Sequence, residues 1–138
     1  MGDKPLNFLL DTHVWVWAAE APERLGPRMR KELADPQNGR SVCCVSTLEI
    51  ARLVAGGDII LKVPLADWVA QSLSDLRVDS LPVNHETALE AYRLPEPFHK
   101  DPADRQIVAC ARLHGLRLAT ADERILRWKY VFSVDARK

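Results

Sequence analysis

Four acidic residues stand where apolar runs give way to helical patterns. Asp11 ends "NFLL", Glu49 follows "SVCCV" within "STLEIARLV", Asp104 opens "ADRQIVACARLHG" and Asp122 follows "LRLAT". Each has a local explanation. Ser46 and Glu49 have the spacing of a capping box. Asp101-Pro102 reads as an N-cap followed by proline at the first helical position, leaving Asp104 at the third, where the helix dipole favours negative charge. Thr120 can cap a helix carrying Glu123, and Thr12 can cap the next helix or bond Asp11. Capping calls for Ser, Thr, Asn or Asp at such corners. It does not call for a carboxylate at four of them.

Taken together, the acids point to chemistry. In the "ADRQIVACA" pattern, Ile107, Val108 and Ala111 follow Asp104 on the packing face of a helix, so Asp104 points inward. Two carboxylates ~5 Å apart at an effective dielectric near 20 repel by roughly 3 kcal/mol. A converging group must therefore hold extra protons or a cation. An all-oxygen set favours Mg2+, with Mn2+ as a substitute, over zinc. Such an ion activates water and screens charge developing on a phosphate ester.

Convergence needs elements that bring distant acids together. Strand-like runs lie at 6–10, 41–45, 116–120 and 130–134, with a weaker one at 78–83. Helical patterns fill 12–20, 27–34, 47–55, 65–76, 85–93 and 103–114. This alternation predicts an α/β fold with a mostly parallel sheet flanked by helices in three layers, α/β/α. Strands lacking polar alternation suit a sheet covered on both faces. In such a sheet the carboxyl ends of the strands share one edge, where ligands bind. "LPEPFHKDP" (94–102) reads as a loop, and Gly115 as the end of the helix before it.

The totals narrow the classes. The 138 residues carry 19 basic and 19 acidic side chains, so no overall basic excess advertises a nucleic-acid binder. Local clusters remain, at Arg24, Arg28, Arg30 and Lys31 and at Arg124, Arg127, Lys129, Arg137 and Lys138; such clusters usually form solvated faces. No apolar run approaches the ~20 residues that span a bilayer. "MGDKPLNFLLD" lacks the pattern of a secretory leader, so the expectation is a cytoplasmic protein without a membrane association. Cys43, Cys44 and Cys110 form no C-x-x-C pair and read as small buried hydrophobes.

The segments "LLDTHVWVW", "VSTLEIARLV", "HKDPADRQIVACA" and "LATADERI" resemble the successive motifs of PIN-domain ribonucleases, most closely the VapC toxins of type II toxin–antitoxin pairs. The likeness runs from residue 6 to about 134. It implies a single PIN domain over 1–138, a Mg2+-dependent endoribonuclease, a homodimer, and a small cognate antitoxin that obstructs the site. Carried over by motif, the catalytic acids are Asp11, Glu49, Asp104 and Asp122. Asp11, Glu49 and Asp104 would hold the metal, with Asp122 supporting it or a second ion. Asp101, Thr12, Ser46, Thr120 and Arg105 are supporting candidates. Arg105 would meet a substrate phosphate or pair with Asp101. Leu48 replaces an aromatic common in close relatives, a change of packing rather than of chemistry.

Other residues carry less. His13 has the chemistry of a general base, which metal-activated water does not require. His99 lies in the loop before the site. Trp15 and Trp17 suit packing of the first helix or contact with a second subunit, and Trp68 and Trp128 suit the core or an interface. Two rival functions use the same fold class. A receiver-like phosphoacceptor domain would need paired acids after the first strand and a lysine after a late one, yet Leu9-Leu10 precedes Asp11 and "LATADERI" offers no lysine. A catalytically silent binding module would keep the fold and cut nothing. The acids alone do not separate RNA from DNA, since metal-assisted cleavage needs no 2′-hydroxyl.

Overall fold

The computed structural model describes residues 4–138; Met1–Asp3, the start of the segment read above for a leader, lie outside it. Five parallel strands form one sheet: β1 (Asn7–Leu10), β2 (Gly39–Cys43), β3 (Asp79–Leu81), β4 (Arg117–Thr120) and β5 (Ser133–Asp135), in the order β3-β2-β1-β4-β5. Among the described residues seven helices surround it: α1 (Thr12–Glu20), α2 (Pro27–Ala34), α3 (Val45–Ala55), α4 (Leu65–Asp75), α5 (His85–Ala91), α6 (Pro102–His114) and α7 (Glu123–Leu126). A 3-10 turn at Pro22–Arg24 links α1 to α2.

Alternate residues of each strand supply two cores, one per face of the sheet. Phe8, Leu10, Val42 and Ala119 pack with Trp15, Met29, Ile50 and Trp68. Leu9, Cys43 and Leu118 pack on the other face with Ile107, Val108, Ile125 and Trp128. The central strand β1 is covered on both sides, which is why its apolar run shows no polar alternation. The three-layer α/β/α arrangement expected from the sequence is thus formed. Trp15 rests against Trp68 with ring centroids 5.0 Å apart, and Trp128 meets Phe98 edge-on at 5.0 Å.

Some boundaries differ from the sequence reading. β2 begins at Gly39 rather than 41, and β5 occupies Ser133–Asp135 rather than 130–134. Hydrogen-bonded register, which apolar content does not encode, decides both: Asn7 pairs with Gly39 and Leu118 with Ser133. Cys43 and Cys110 are buried, but Cys44 is exposed, its sulfur accepting a hydrogen bond from the Val83 amide at 3.3 Å. Gly115 ends α6 with φ 63°, a left-handed conformation that glycine adopts without the Cβ penalty. Among the described residues no helix is long and apolar enough to cross a membrane.

The strand order places β2 and β4 on either side of β1, so the chain leaves β1 toward one side of the sheet and later returns to the other. The carboxyl ends of β1 and β4 flank the resulting crevice, the usual ligand position in such sheets. Asp11 and Asp122 follow those two ends.

Candidate metal centre and active site

Asp11 leaves β1 and caps α1, and it is only 8% exposed. Its Oδ1 accepts the Thr12 amide at 2.8 Å, and its Oδ2 accepts the Thr120 hydroxyl at 2.6 Å. Capping and site placement therefore coexist in one side chain. Thr120, fully buried at the end of β4, does not cap the following helix. It orients Asp11 across 109 residues of sequence and accepts the Asp122 amide at 3.1 Å.

The capping-box reading of Ser46 and Glu49 is not formed. Helix α3 begins at Val45, ahead of Ser46, so both residues lie inside it. Glu49 instead accepts the Thr12 hydroxyl at 2.5 Å, and the Ser46 hydroxyl lies 2.9 Å from that of Thr12. Thr12 and Ser46 join α1 to α3 and hold Glu49 in place.

Asp101 is the N-cap of α6, accepting the amides of Ala103 at 2.9 Å and Asp104 at 3.3 Å. Asp104 sits one turn inside, on the packing face as its periodicity required, and 9% exposed. Its Oδ2 lies 2.7 Å from His99 Nε2. The His99 ring stacks on Phe98 with centroids 4.4 Å apart. Asp122 caps α7 through the Arg124 amide at 2.9 Å, and its Oδ2 pairs with Arg124 Nη2 at 3.0 Å.

Arg105 faces away from the acids and does not pair with Asp101. It is buried, donating to the carbonyls of Ala91, Phe98 and His99 at 2.9–3.1 Å and to Glu96 at 3.2 Å. Buried guanidinium needs such acceptors. The end of α5 and the loop before α6 supply them, so Arg105 fastens the loop that presents His99 and is not placed to meet a phosphate.

Asp11, Glu49, Asp101, Asp104 and Asp122 line one cleft of about 360 Å3, with His13, Trp17, Arg52 and Arg124 on its walls. Carboxylate oxygens of Glu49, Asp101 and Asp104 approach within 4.8 Å of one another, as do ligand atoms of His99, Asp104 and Asp122. Asp104 belongs to both groups. Asp11 shares the cleft but neither of these tight groups.

The electrostatics follow the crowding. Burial raises the Asp11 carboxyl above its ordinary range, against the hydrogen bonds from Thr120 and the Thr12 amide. Burial also raises Glu49, with the charges of Asp11 and Asp101 adding to it. Asp104 is pushed up to about 6 by burial and by Asp11 and Asp101, despite the opposing His99 bond. Asp122 moves the other way: burial would raise it, but Arg124 outweighs burial and holds it low. Asp122 thus has Arg124 hydrogen-bonded to it, Asp104 has the same guanidinium only at 3.6 Å, and Asp11 and Glu49 pair with no arginine or lysine among the described residues. That oxygen-rich set, with raised proton affinities, fits a hard divalent cation.

A family model for the PIN domain matches residues 8–129. The chain belongs to the PIN-domain family. This PIN domain is 34% identical to ribonuclease VapC22 of Mycobacterium tuberculosis over 119 residues, covering 86% of this chain and 89% of the relative. Its fold resembles VapBC2 of Rickettsia felis, bound to a promoter DNA fragment, with TM-score 0.67 and 16% identity over 94% of this chain and 98% of that one. It also resembles VapBC-1 of nontypeable Haemophilus influenzae, with TM-score 0.63 and 16% identity over 96% and 100% of the two chains. Family membership sets the receiver-domain alternative aside.

Sequence reasoning placed His99 in the loop before the site but missed its bond to Asp104, and it missed Arg124 at this PIN-domain site altogether. His99 precedes Asp104 by five residues in a loop of no regular period, so no helical face linked them. Arg124 was grouped with a basic cluster read as solvated surface. Its spacing of two from Asp122 was the available signal, since a capping acid and the next turn's side chains lie close together.

Proposed function

We propose that this PIN domain is a metal-dependent endoribonuclease, the VapC-type toxin of a type II toxin–antitoxin pair, and that a small cognate antitoxin restrains it. The observation that carries this reading is the convergence of Glu49, Asp101 and Asp104 within 4.8 Å, beside Asp11, in the cleft at the carboxyl edge of the sheet. The resemblance to ribonuclease VapC22 supports RNA as the substrate, and the VapBC complexes among similar folds support an antitoxin. We assign the reaction to a single domain spanning the chain, acting as a homodimer in the cytoplasm.

Glu49, Asp101 and Asp104 would hold the cation, Mg2+ or in its place Mn2+, with Asp11 contributing its charge from the same cleft. A bound divalent ion supplies Lewis-acid activation of water and neutralises charge on the phosphate oxygens. The chain's own residues do the rest. Thr120 and the Thr12 amide fix both oxygens of Asp11, Thr12 fixes Glu49, and His99 fixes Asp104. Hydrolysis adds one water oxygen to phosphorus and releases the leaving ribose oxygen, which ends protonated; no covalent bond to the protein is needed.

An RNA cleavage assay with Mg2+ or EDTA, run beside Asp104→Asn, tests the reading. Cleavage by the wild-type chain should disappear with EDTA, and the variant should lose about 100-fold or more in rate. Equal cutting by both proteins would place the activity elsewhere. RNA bound tightly but never cut would favour the silent binding module.

A further inference from the structure

The carboxylate of Asp122 is committed to an arginine. Its Oδ1 accepts the Arg124 amide at 2.9 Å and Nε at 3.3 Å, and its Oδ2 accepts Nη2 at 3.0 Å. This is the paired-donor geometry that fixes a guanidinium's orientation as well as its position. The same Nη2 stands 3.6 Å from Asp104 Oδ2. Arg124 Nη1 donates to no protein group among the described residues, and the side chain is 62% exposed on the wall of the cleft. One edge of the guanidinium is therefore occupied by Asp122, and further donors remain beside the acids.

We propose that Arg124 is a catalytic residue whose uncommitted N–H groups bind the non-bridging oxygens of the scissile phosphate. Asp122 is its positioning residue and not a ligand of the cation. This rests on the ribonuclease reading above. The charge balance separates Asp122 from the other acids. Glu49 and Asp101 pair with no arginine among the described residues and Asp104 meets Arg124 only at 3.6 Å, whereas both oxygens of Asp122 already accept N–H groups of Arg124, so a cation bound to Asp122 would compete with that guanidinium.

During hydrolysis the water oxygen bonds to phosphorus and its proton passes to solvent. The phosphorus–oxygen bond to the leaving ribose breaks with its electron pair, and that oxygen takes up a proton. Negative charge on the non-bridging oxygens peaks between these events. Charge-assisted hydrogen bonds from Arg124 strengthen at that moment while the arginine keeps all its protons. A cleft lined by five carboxyl groups also repels RNA, and a fixed cation on its wall lowers that barrier at the reacting phosphate.

The test compares Arg124→Ala, Asp122→Asn and the double variant with the wild-type chain. It uses single-turnover cleavage of a short RNA with Mg2+ and calorimetric titration of Mn2+ in the absence of RNA. Arg124 is exposed and Asn also serves as an N-cap, so both variants should fold. Arg124→Ala should lower the cleavage rate about 100-fold without weakening Mn2+ binding, since it removes a positive charge 3.6 Å from Asp104. Asp122→Asn should slow cleavage with Mn2+ affinity likewise retained. The double variant should be no slower than Arg124→Ala, because the two residues act as a unit. Added guanidinium ion should partly restore Arg124→Ala and leave Asp104→Asn inactive. Wild-type rates in Arg124→Ala would overturn the proposal alone, as would loss of Mn2+ binding in Asp122→Asn. Absence of metal-dependent cleavage by the wild-type chain would remove the ribonuclease reading and the proposal with it.

Discussion

Single hydroxyl groups decide how the acids face the cleft. Thr120 is fully buried and donates to Asp11 at 2.6 Å, so Thr120→Val would keep the shape and remove the bond. Partners of this kind orient metal-binding groups, and their loss commonly weakens metal affinity by about 10–100-fold. A Mn2+ titration of Thr120→Val should show that loss, with the helical circular dichroism intact. Protons compete for the same acids. Because Asp104 titrates near about 6 without a cation, acidification through that range protonates it and expels the ion. Mn2+ affinity should fall by about tenfold per pH unit below that point, one proton being exchanged per ion. A flat profile between about pH 5 and 7 would show that Asp104 does not bind the cation.

Elements carry these side chains to one edge, and the loop before α6 depends on a single buried residue. Arg105 binds three backbone carbonyls and Glu96, and its guanidinium lies 5.4 Å from the Phe98 ring centroid and 5.1 Å from that of Tyr92. Arg105→Ala would leave the Ala91 and Phe98 carbonyls without these donors, a loss of about 2–4 kcal/mol. Thermal melting should show the drop. Mn2+ affinity should fall with it, since His99 on that loop steadies Asp104. Lysine lacks the fork that reaches several carbonyls at once, so Arg105→Lys should rescue little. The helices that frame this arrangement were legible because apolar periodicity reports burial directly: Ile107, Val108 and Ala111 located the inner face of α6 and, with it, Asp104. Asp101 as an N-cap was legible from Pro102. Ser46 and Glu49 misled because capping spacing recurs inside helices, where only the true start distinguishes it. The Thr120–Asp11 bond, His99 on Asp104 and Arg124 on Asp122 depend on side-chain placement between strand ends or within short loops. No sequence period encodes that placement.

At the scale of the whole molecule, equal numbers of acidic and basic residues conceal an uneven distribution. Carboxyl groups raised by burial are concentrated at one edge of an otherwise well-packed sheet, and the fold holds them there at a cost in stability. Asp104 makes that cost measurable. Its folded value of about 6 lies above the ordinary 3.8, so the folded chain binds this proton more readily than the unfolded one. By linkage, its contribution favours folding as the pH falls from about 6 toward 4 and opposes folding above that window. In cation-free buffer at neutral pH, Asp104→Asn should therefore melt higher than the wild-type chain by about 2–5 °C, as expected for relief of roughly 1 kcal/mol in a domain of this size. Mg2+ should reverse the ranking. It binds the folded wild-type chain and raises its melting temperature with concentration, and it should do little for the variant. A scan with and without Mg2+ reads both effects at once. If the variant melts lower in EDTA and responds to Mg2+ as the wild type does, Asp104 is a structural residue, and the strain at this edge belongs to packing rather than to a site built for a cation.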